Sequence, residues 1–335
     1  MGARGGTKNG SHNDKYVILW GESQMMQVRR NDFDVTNRIQ TTDPAAVQRE
    51  IARLFRLLYP GAAHGAMDQA FTDIGRLYQG DFPGYLACDT AYHDVQHVMD
   101  VTLAMTRLMD GYERSRRDTP ALGVRLFQLG VITGLFHDIG YLRATNDTVA
   151  KNGAEYTLNH VSRGAKFLSG YLPQIGFSDL ATVGAELIHF TGFEKRVADV
   201  LIQDPLLRLL GSMLGSADII AQMSDRCYLE KCRDRLYDEF VAGGIAVKKT
   251  VGGTEVVFES GDDLLRKTPA FFDSAVTRLE YDLGGAYNYA ATHFGGFNLY
   301  MHAATKNVQF AKKISVSTKV ELRREPPTMI TGYGH

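Results

Sequence analysis

The sequence has only 3 cysteines in 335 residues, and none of them forms a C-x-x-C pair. So sparse and odd a set, Cys88, Cys227 and Cys232, argues against a disulfide framework and suits free thiols in a reducing compartment. Long hydrophobic runs are also missing. No stretch approaches the roughly 18 unbroken apolar residues that a spanning helix requires, so no membrane segment is expected. The first 15 residues are Gly- and polar-rich with no apolar signal core behind them, which makes a cytoplasmic location the expectation. An excess of one charge is absent too: Lys and Arg total 37, Asp and Glu 38. The basic residues are spread along the chain rather than massed in one stripe, which argues against a long nucleic-acid partner held by its phosphates.

What is present is a 44% hydrophobic chain long enough to bury a sizeable core. Residues 1 to 44 read as an N-terminal arm, partly irregular: a Gly-rich start, one apolar run "YVILW" at 16–20, then a polar stretch. That run suits a strand or an arm that docks on a second subunit, and so a homo-oligomer. From Asp43-Pro44 onward apolar residues recur at spacings of three and four, which predicts helices over about 45–59, 64–79, 93–112, 120–138, 153–170, 179–192, 204–221, 223–241 and, with interruptions, 262–310. One segment breaks this rhythm. In "GIAVKKTVGGTEVVFESGD" valines alternate with polar residues around Gly252-Gly253, which predicts a small β-hairpin at about 245–258. The expected architecture is all-α, with one domain over 45–335 carrying the inserted hairpin.

Chemistry concentrates in the histidines that sit inside apolar helical text, where an unpartnered imidazole or carboxylate costs several kcal/mol. His93 and His97 stand four apart in "YHDVQHVMDV"; His137 and Asp138 close "LGVITGLFHDIGY" beside Gly140, which lets the chain turn with both side chains aimed at one point. His160 and His189 follow in later helices, each of which taken singly reads first as a satisfied core histidine. Asp218 is the only charge in "LLGSMLGSADIIAQM", where an ionised carboxylate needs a partner or a metal. Together His97, His137, Asp138, His160, His189 and Asp218 mix imidazole nitrogen with carboxylate oxygen and include no thiolate. That set suits zinc, iron, manganese or magnesium. Six ligands suit two divalent metal ions bridged by one carboxylate, for which Asp138 is the natural choice. Tyr92 is a candidate substrate contact, and Asp100, Glu155 and Glu186 are candidates to orient the ligating imidazoles.

This order of residues resembles the HD superfamily of metal-dependent phosphohydrolases, and more closely the catalytic domain of the class I 3′,5′-cyclic nucleotide phosphodiesterases. The family's Tyr-His-Asn-x-x-His-Ala-x-Asp-Val block is matched by "YHDVQHVMDV", its His-Asp block by "HDIGY", its Ala-Asp block by "SADII", and its Asp/Glu-Glu-Phe segment by "DRLYDEFVAGG". The likeness covers about residues 80–245. It implies an HD-type helical bundle that hydrolyses a cyclic nucleotide to the 5′-phosphate. It implies further that His93 is the general acid, that His97, His137, Asp138 and Asp218 hold the first metal, and that Asp138 bridges to a second across a hydroxide nucleophile. The small-molecule partner is then a nucleotide. Departures from the family pattern are Asp94 in place of its Asn, "HDIGYLR" in place of His-Asp-x-x-His-Pro-Gly, and no placeable Gln-x-x-Phe purine clamp. His160 and His189 resemble instead the six-ligand branches of the superfamily, which leaves two alternatives: hydrolysis of a cyclic dinucleotide or other small phosphate ester, and a di-iron oxygenase.

Overall fold

The computed structural model describes residues 28–250, 253–317 and 319–328. The apolar run at 16–20 lies outside the described residues. The described chain is mostly helical, with one two-stranded antiparallel sheet.

Helix α1 (Pro44–Leu58) begins where Asp43 accepts a hydrogen bond from the Ala45 N–H and Pro44 takes the first helical position. Its Val47, Ile51, Leu54 and Phe55 form one buried stripe, each contributing roughly 2 kcal/mol on burial. Helix α2 (Gly65–Gln79) ends at Gly80 in the left-handed region, φ 81°. Helix α3 (Val95–Ser115) is buried almost from end to end and packs against α1, against α4 (Gly123–Phe136) and against α7 (Pro205–Ser224). Close approach of α3 and α4 is helped by glycine: a Cβ on Gly134 would stand a tight 3.3 Å from the Thr102 Cα. That approach brings the end of α4, and with it His137, to the start of α3.

Several expected boundaries shift by a few residues, and two of them bear on the site. The apolar pattern predicts a helix from 93, but Asp94 is the N-cap, its side chain accepting from the His97 N–H, so α3 starts at Val95 and His93 lies outside it. The helix expected over 153–170 divides. An Asn152/Glu155 capping box opens a short 3-10 turn, Gly153–Tyr156, and α5 (His160–Tyr171) starts afresh. The first N–H groups of α5, on Val161 and Ser162, are taken by the carboxylate of Glu194 at 2.8 and 3.1 Å. A cap from more than 30 residues downstream leaves no local trace.

Helix α6 (Ala181–Leu187) continues as a 3-10 turn, Ile188–Phe190. After α7, α8 (Tyr228–Lys231) passes through a π-helical turn (Cys232–Leu236) into α9 (Tyr237–Ala242). The hairpin follows as β1 (Val247–Thr250) and β2 (Gly253–Val256), in register from Val247↔Val256 to Thr250↔Gly253. The interrupted helical stretch then resolves into α10 (Gly261–Thr277), a π-turn at Arg278–Asp282, α11 (Tyr289–His293) and α12 (Leu299–Ser315). The described part of the expected N-terminal arm, 28–43, lies on the bundle: Asp34, 4% exposed, meets Arg107 of α3 at 2.5 Å, and Arg107 also donates to the Tyr300 hydroxyl. The segment 319–328 returns to the same side, where Asn31 donates to the Glu325 carbonyl and Arg235 to that of Pro327. Among the described residues no helix is long and apolar enough to cross a membrane.

Candidate metal centre

Four helices converge on one buried point. His97 comes from the first turn of α3, His137 and Asp138 from the end of α4, His160 from the first residue of α5, and Asp218 from α7. His97 Nε2, His137 Nε2 and Asp138 Oδ2 stand 3.1 to 3.3 Å from one another. Asp218 Oδ1 is 3.5 Å from His97 Nε2 and 4.0 Å from His137 Nε2. On the other side His160 Nε2 faces Asp138 Oδ1 at 3.6 Å. Both oxygens of Asp138 are thus addressed by imidazoles, one on each flank. The ring orientations are fixed from behind, because His137 Nδ1 donates to the Gly134 carbonyl and His160 Nδ1 to that of Thr157, both at 2.8 Å. Each of these two rings therefore turns an Nε2 lone pair inward.

The donor set fits a metal ion. His97, His137 and Asp138 are all buried and form a group able to hold a cation. Asp138 Oδ2 is buried without a conventional hydrogen bond, although two imidazole nitrogens approach it. Buried acceptor and imidazole atoms that converge with only the His97–His137 Nε2 pair in hydrogen-bond geometry are what a ligand set presents. The electrostatics point the same way. Burial disfavours a charged His97, but the carboxylates of Asp138 and Asp218 outweigh it and push the imidazole up to about 10. Burial likewise opposes charge on His137, and Asp138 reverses it, raising that imidazole also. Burial would raise the Asp138 carboxyl, yet His137 and His97 hold it well below the usual carboxylate range. The pocket is thus built to hold positive charge beside Asp138.

Gly140 does something other than turn the chain. A Cβ there would lie 1.8 Å from the His160 carbonyl oxygen, so its absence lets α5 start directly against the 3-10 turn Ile139–Tyr141.

The other expected residues divide. His93 is not on the helical face of His97; it lies in the loop before the cap, its ring 5.7 Å from that of His97 and perpendicular to it. His189 is not in the converging group: its charged neighbours are Lys195, Glu186 and Glu194, burial lowers its imidazole, and its Nδ1 is buried with no hydrogen-bond partner among the described residues. Tyr92 is buried, and its hydroxyl reaches Gln222. Asp100 belongs to a separate charged cluster with Arg29, Asp225 and Lys231, where burial and the Asp225 carboxylate raise it to about 7. Glu155 is occupied by the N–H groups of Lys151 and Asn152, and Glu186 lies 3.4 Å from Lys195. The orienting bond to His160 comes from Thr157 instead. The local sequence could not decide this, because a carboxylate and a backbone carbonyl serve an imidazole N–H equally well.

Two residues were not singled out in the sequence. Glu239, buried in α9, accepts from the Tyr92 N–H through Oε1 and faces His93 Nδ1 with Oε2, both at 2.5 Å. It lies inside "DRLYDEFVAGG", a segment that carries part of the family resemblance, but 146 residues separate it from the imidazole it holds, so its partner could not be read from the sequence. Tyr141 is the second: its buried ring stacks on His93 and on His160. No protein-family model matches the sequence, and no curated protein matches it. The helical bundle and its His/His/Asp group are compatible with an HD-like fold.

Proposed function

We propose that this chain is a metal-dependent phosphoric diester hydrolase that opens a cyclic nucleotide, a 3′,5′-cyclic mononucleotide in the first instance, with His93 as the general acid. The observation that carries this reading is the His93–Glu239 pair beside a buried cation-binding group. Glu239 takes the Nδ1 proton of His93 at 2.5 Å, which leaves Nε2 as the ring atom that can carry a transferable proton. By also accepting the Tyr92 N–H, the same carboxylate fixes the loop on which His93 sits. Phosphodiester cleavage needs a proton for the departing oxygen, and an imidazole oriented by a carboxylate is a group that can supply it.

His97, His137, Asp138 and Asp218 would hold one divalent ion, and Asp138 Oδ1 with His160 flanks a place for a second. Ions bound there supply Lewis acidity toward the phosphoryl oxygens and acidify water. The chain's own share is to hold these donors in place. Gly134 and Thr157 carbonyls set the imidazole tautomers, and His97, His137 and Asp138 are buried. The nitrogen that His160 adds beside Asp138 also favours a second reading, a cyclic dinucleotide as substrate on a fuller metal cage.

The test is to incubate the manganese-loaded protein with a panel of cyclic mono- and dinucleotides and identify the products by mass. A nucleoside 5′-monophosphate whose release a chelator stops supports the first reading, and a linear dinucleotide supports the second. No turnover of any member of the panel, with manganese bound, rejects both. Iron as the only ion retained, with oxygen consumed, points to an oxygenase.

A further inference from the structure

Arg278 is a buried cation with no partner of opposite charge. It opens the π-turn Arg278–Asp282, is 8% exposed, and donates from Nη2 to the carbonyls of Phe190, Thr191 and Gly192, the first and last at 2.8 Å. Nη2 carries two of the five guanidinium N–H groups, so three take no part in these bonds. One of the three, on Nε, is buried with no hydrogen-bond partner among the described residues. The ring of Phe193 covers one face of the guanidinium, 4.3 Å from it. Among the described residues no carboxylate pairs with the group: Asp218 and Asp282 act on its charge only through space, and burial outweighs them. A buried charge in that condition is costly, and an anion relieves it.

The guanidinium lies beside the candidate ligands. The Phe190 carbonyl that receives Nη2 packs so tightly on Gly215 of α7 that a Cβ there would collide with it. Gly215 and Asp218 are three residues apart and so share one face of α7. Of the two carboxylates that act on Arg278, Asp218 is the stronger. The Asp218 side chain is 15% exposed, against 7% for His97, 5% for Asp138 and 0% for His137, so the converging group is open to a ligand on its Asp218 side. In metal-free protein the Asp218 charge partly offsets Arg278. A divalent ion held by Asp138 and Asp218 takes up that charge, and the guanidinium beside it is left without compensation. A phosphodiester brings one negative charge and oxygens that accept N–H, which is what this corner lacks.

We propose that Arg278 is a substrate-binding residue whose guanidinium pairs with the phosphate anion at the Asp218 edge of the metal group. This rests on the reading that the group binds a divalent cation and that the substrate is a phosphodiester.

The probe is inorganic phosphate, added to magnesium-loaded protein. In proton–nitrogen correlation spectra the Arg278 Nε–H signal, identified by its absence from Arg278→Lys, should move downfield as phosphate saturates, because a donor without a partner gains one. Calorimetry should show phosphate affinity falling roughly 10–100-fold in Arg278→Gln, the scale of a lost charge-assisted hydrogen bond. The loss should be less than about tenfold in Arg278→Lys, which keeps the charge but not the fork. Bound magnesium should be unchanged in both variants by elemental analysis. A residue that only ties down the carbonyls of Phe190, Thr191 and Gly192 would change the melting temperature and leave the Nε–H signal indifferent to phosphate. That outcome, or equal affinity in the wild type and both variants, overturns the proposal. The signal is read in the wild type, so it decides even if Arg278→Gln fails to fold. A wild type that takes up no magnesium removes the metal reading and this proposal together. If the signal moves while no cyclic nucleotide is turned over, Arg278 keeps its anion and the hydrolase reading falls.

Discussion

Two carboxylates govern the protonation of the imidazoles around them. Because Asp138 and Asp218 raise His97 to about 10, this residue carries a proton at neutral pH in metal-free protein, and a metal must displace it. Calorimetric titration with zinc at pH 7.5, in buffers of different ionisation enthalpy, should therefore show the release of at least one proton per ion. The sign for stability follows. A raised imidazole contributes stability that is fully present below its unfolded value near 6.5 and is lost as pH rises toward 10. Chelator-treated protein should thus melt at progressively lower temperature from pH 6.5 to 10, and added metal should reverse the trend at its upper end. Glu239→Gln keeps the size of the side chain and removes its charge. It should lower diester turnover roughly 100-fold with bound metal unchanged by elemental analysis, because the lost partner belongs to His93 and not to the ligands. At this scale the sequence was legible wherever a residue type is out of place in apolar text, as with His97, His137, Asp138 and Asp218. Residues whose importance comes from a partner far along the chain, Glu239 and Tyr141, were not.

Helices convert these side chains into a site, and their ends matter more than their middles. His97, His137 and His160 each occupy a first turn or a terminus. The hairpin was marked by β-branched alternation around Gly252-Gly253, although its described strand residues are exposed, whereas periodicity located the helices, because a buried stripe repeats. It misplaced the starts of α3 and α5, because caps are single contacts and the one on α5 comes from Glu194. Gly140→Ala tests the tightest of these junctions. The added Cβ would meet the His160 carbonyl, so a loss of about 1–3 kcal/mol in urea denaturation is expected. Gly170→Ala, near the end of α5 where nothing lies within 4 Å, should instead be neutral or stabilising by up to about 1 kcal/mol. Equal costs at the two positions would contradict this account of the junction.

Across the whole molecule the bundle is tied by buried charge. Asp34, from the segment before α1, and Arg107, in the middle of α3, are both nearly inaccessible. Removing one member strands the other, so Asp34→Asn should cost about 3–5 kcal/mol at neutral pH. Burial alone would raise the Asp34 carboxyl; Arg107 and the Ile39 N–H lower it below its ordinary 3.8. Its contribution is thus present above that value and lost as pH falls through the lower folded value, and the gap between wild type and variant in urea melts should narrow below pH 4. None of this was legible in the sequence, where residues 1–44 read as a loose arm.

The crossing of segments 28–43 and 319–328 also bears on how the molecule comes to exist during synthesis. Asn31 donates to the carbonyl of Glu325, 294 residues away, and accepts from Arg226. Every candidate ligand, from His97 to Asp218, leaves the ribosome more than 100 residues before that contact can close. The clasp therefore closes only on a chain that already carries every candidate ligand, so the segments that bring His97, His137, Asp138 and Asp218 together are made before the contact that ties the two outer segments.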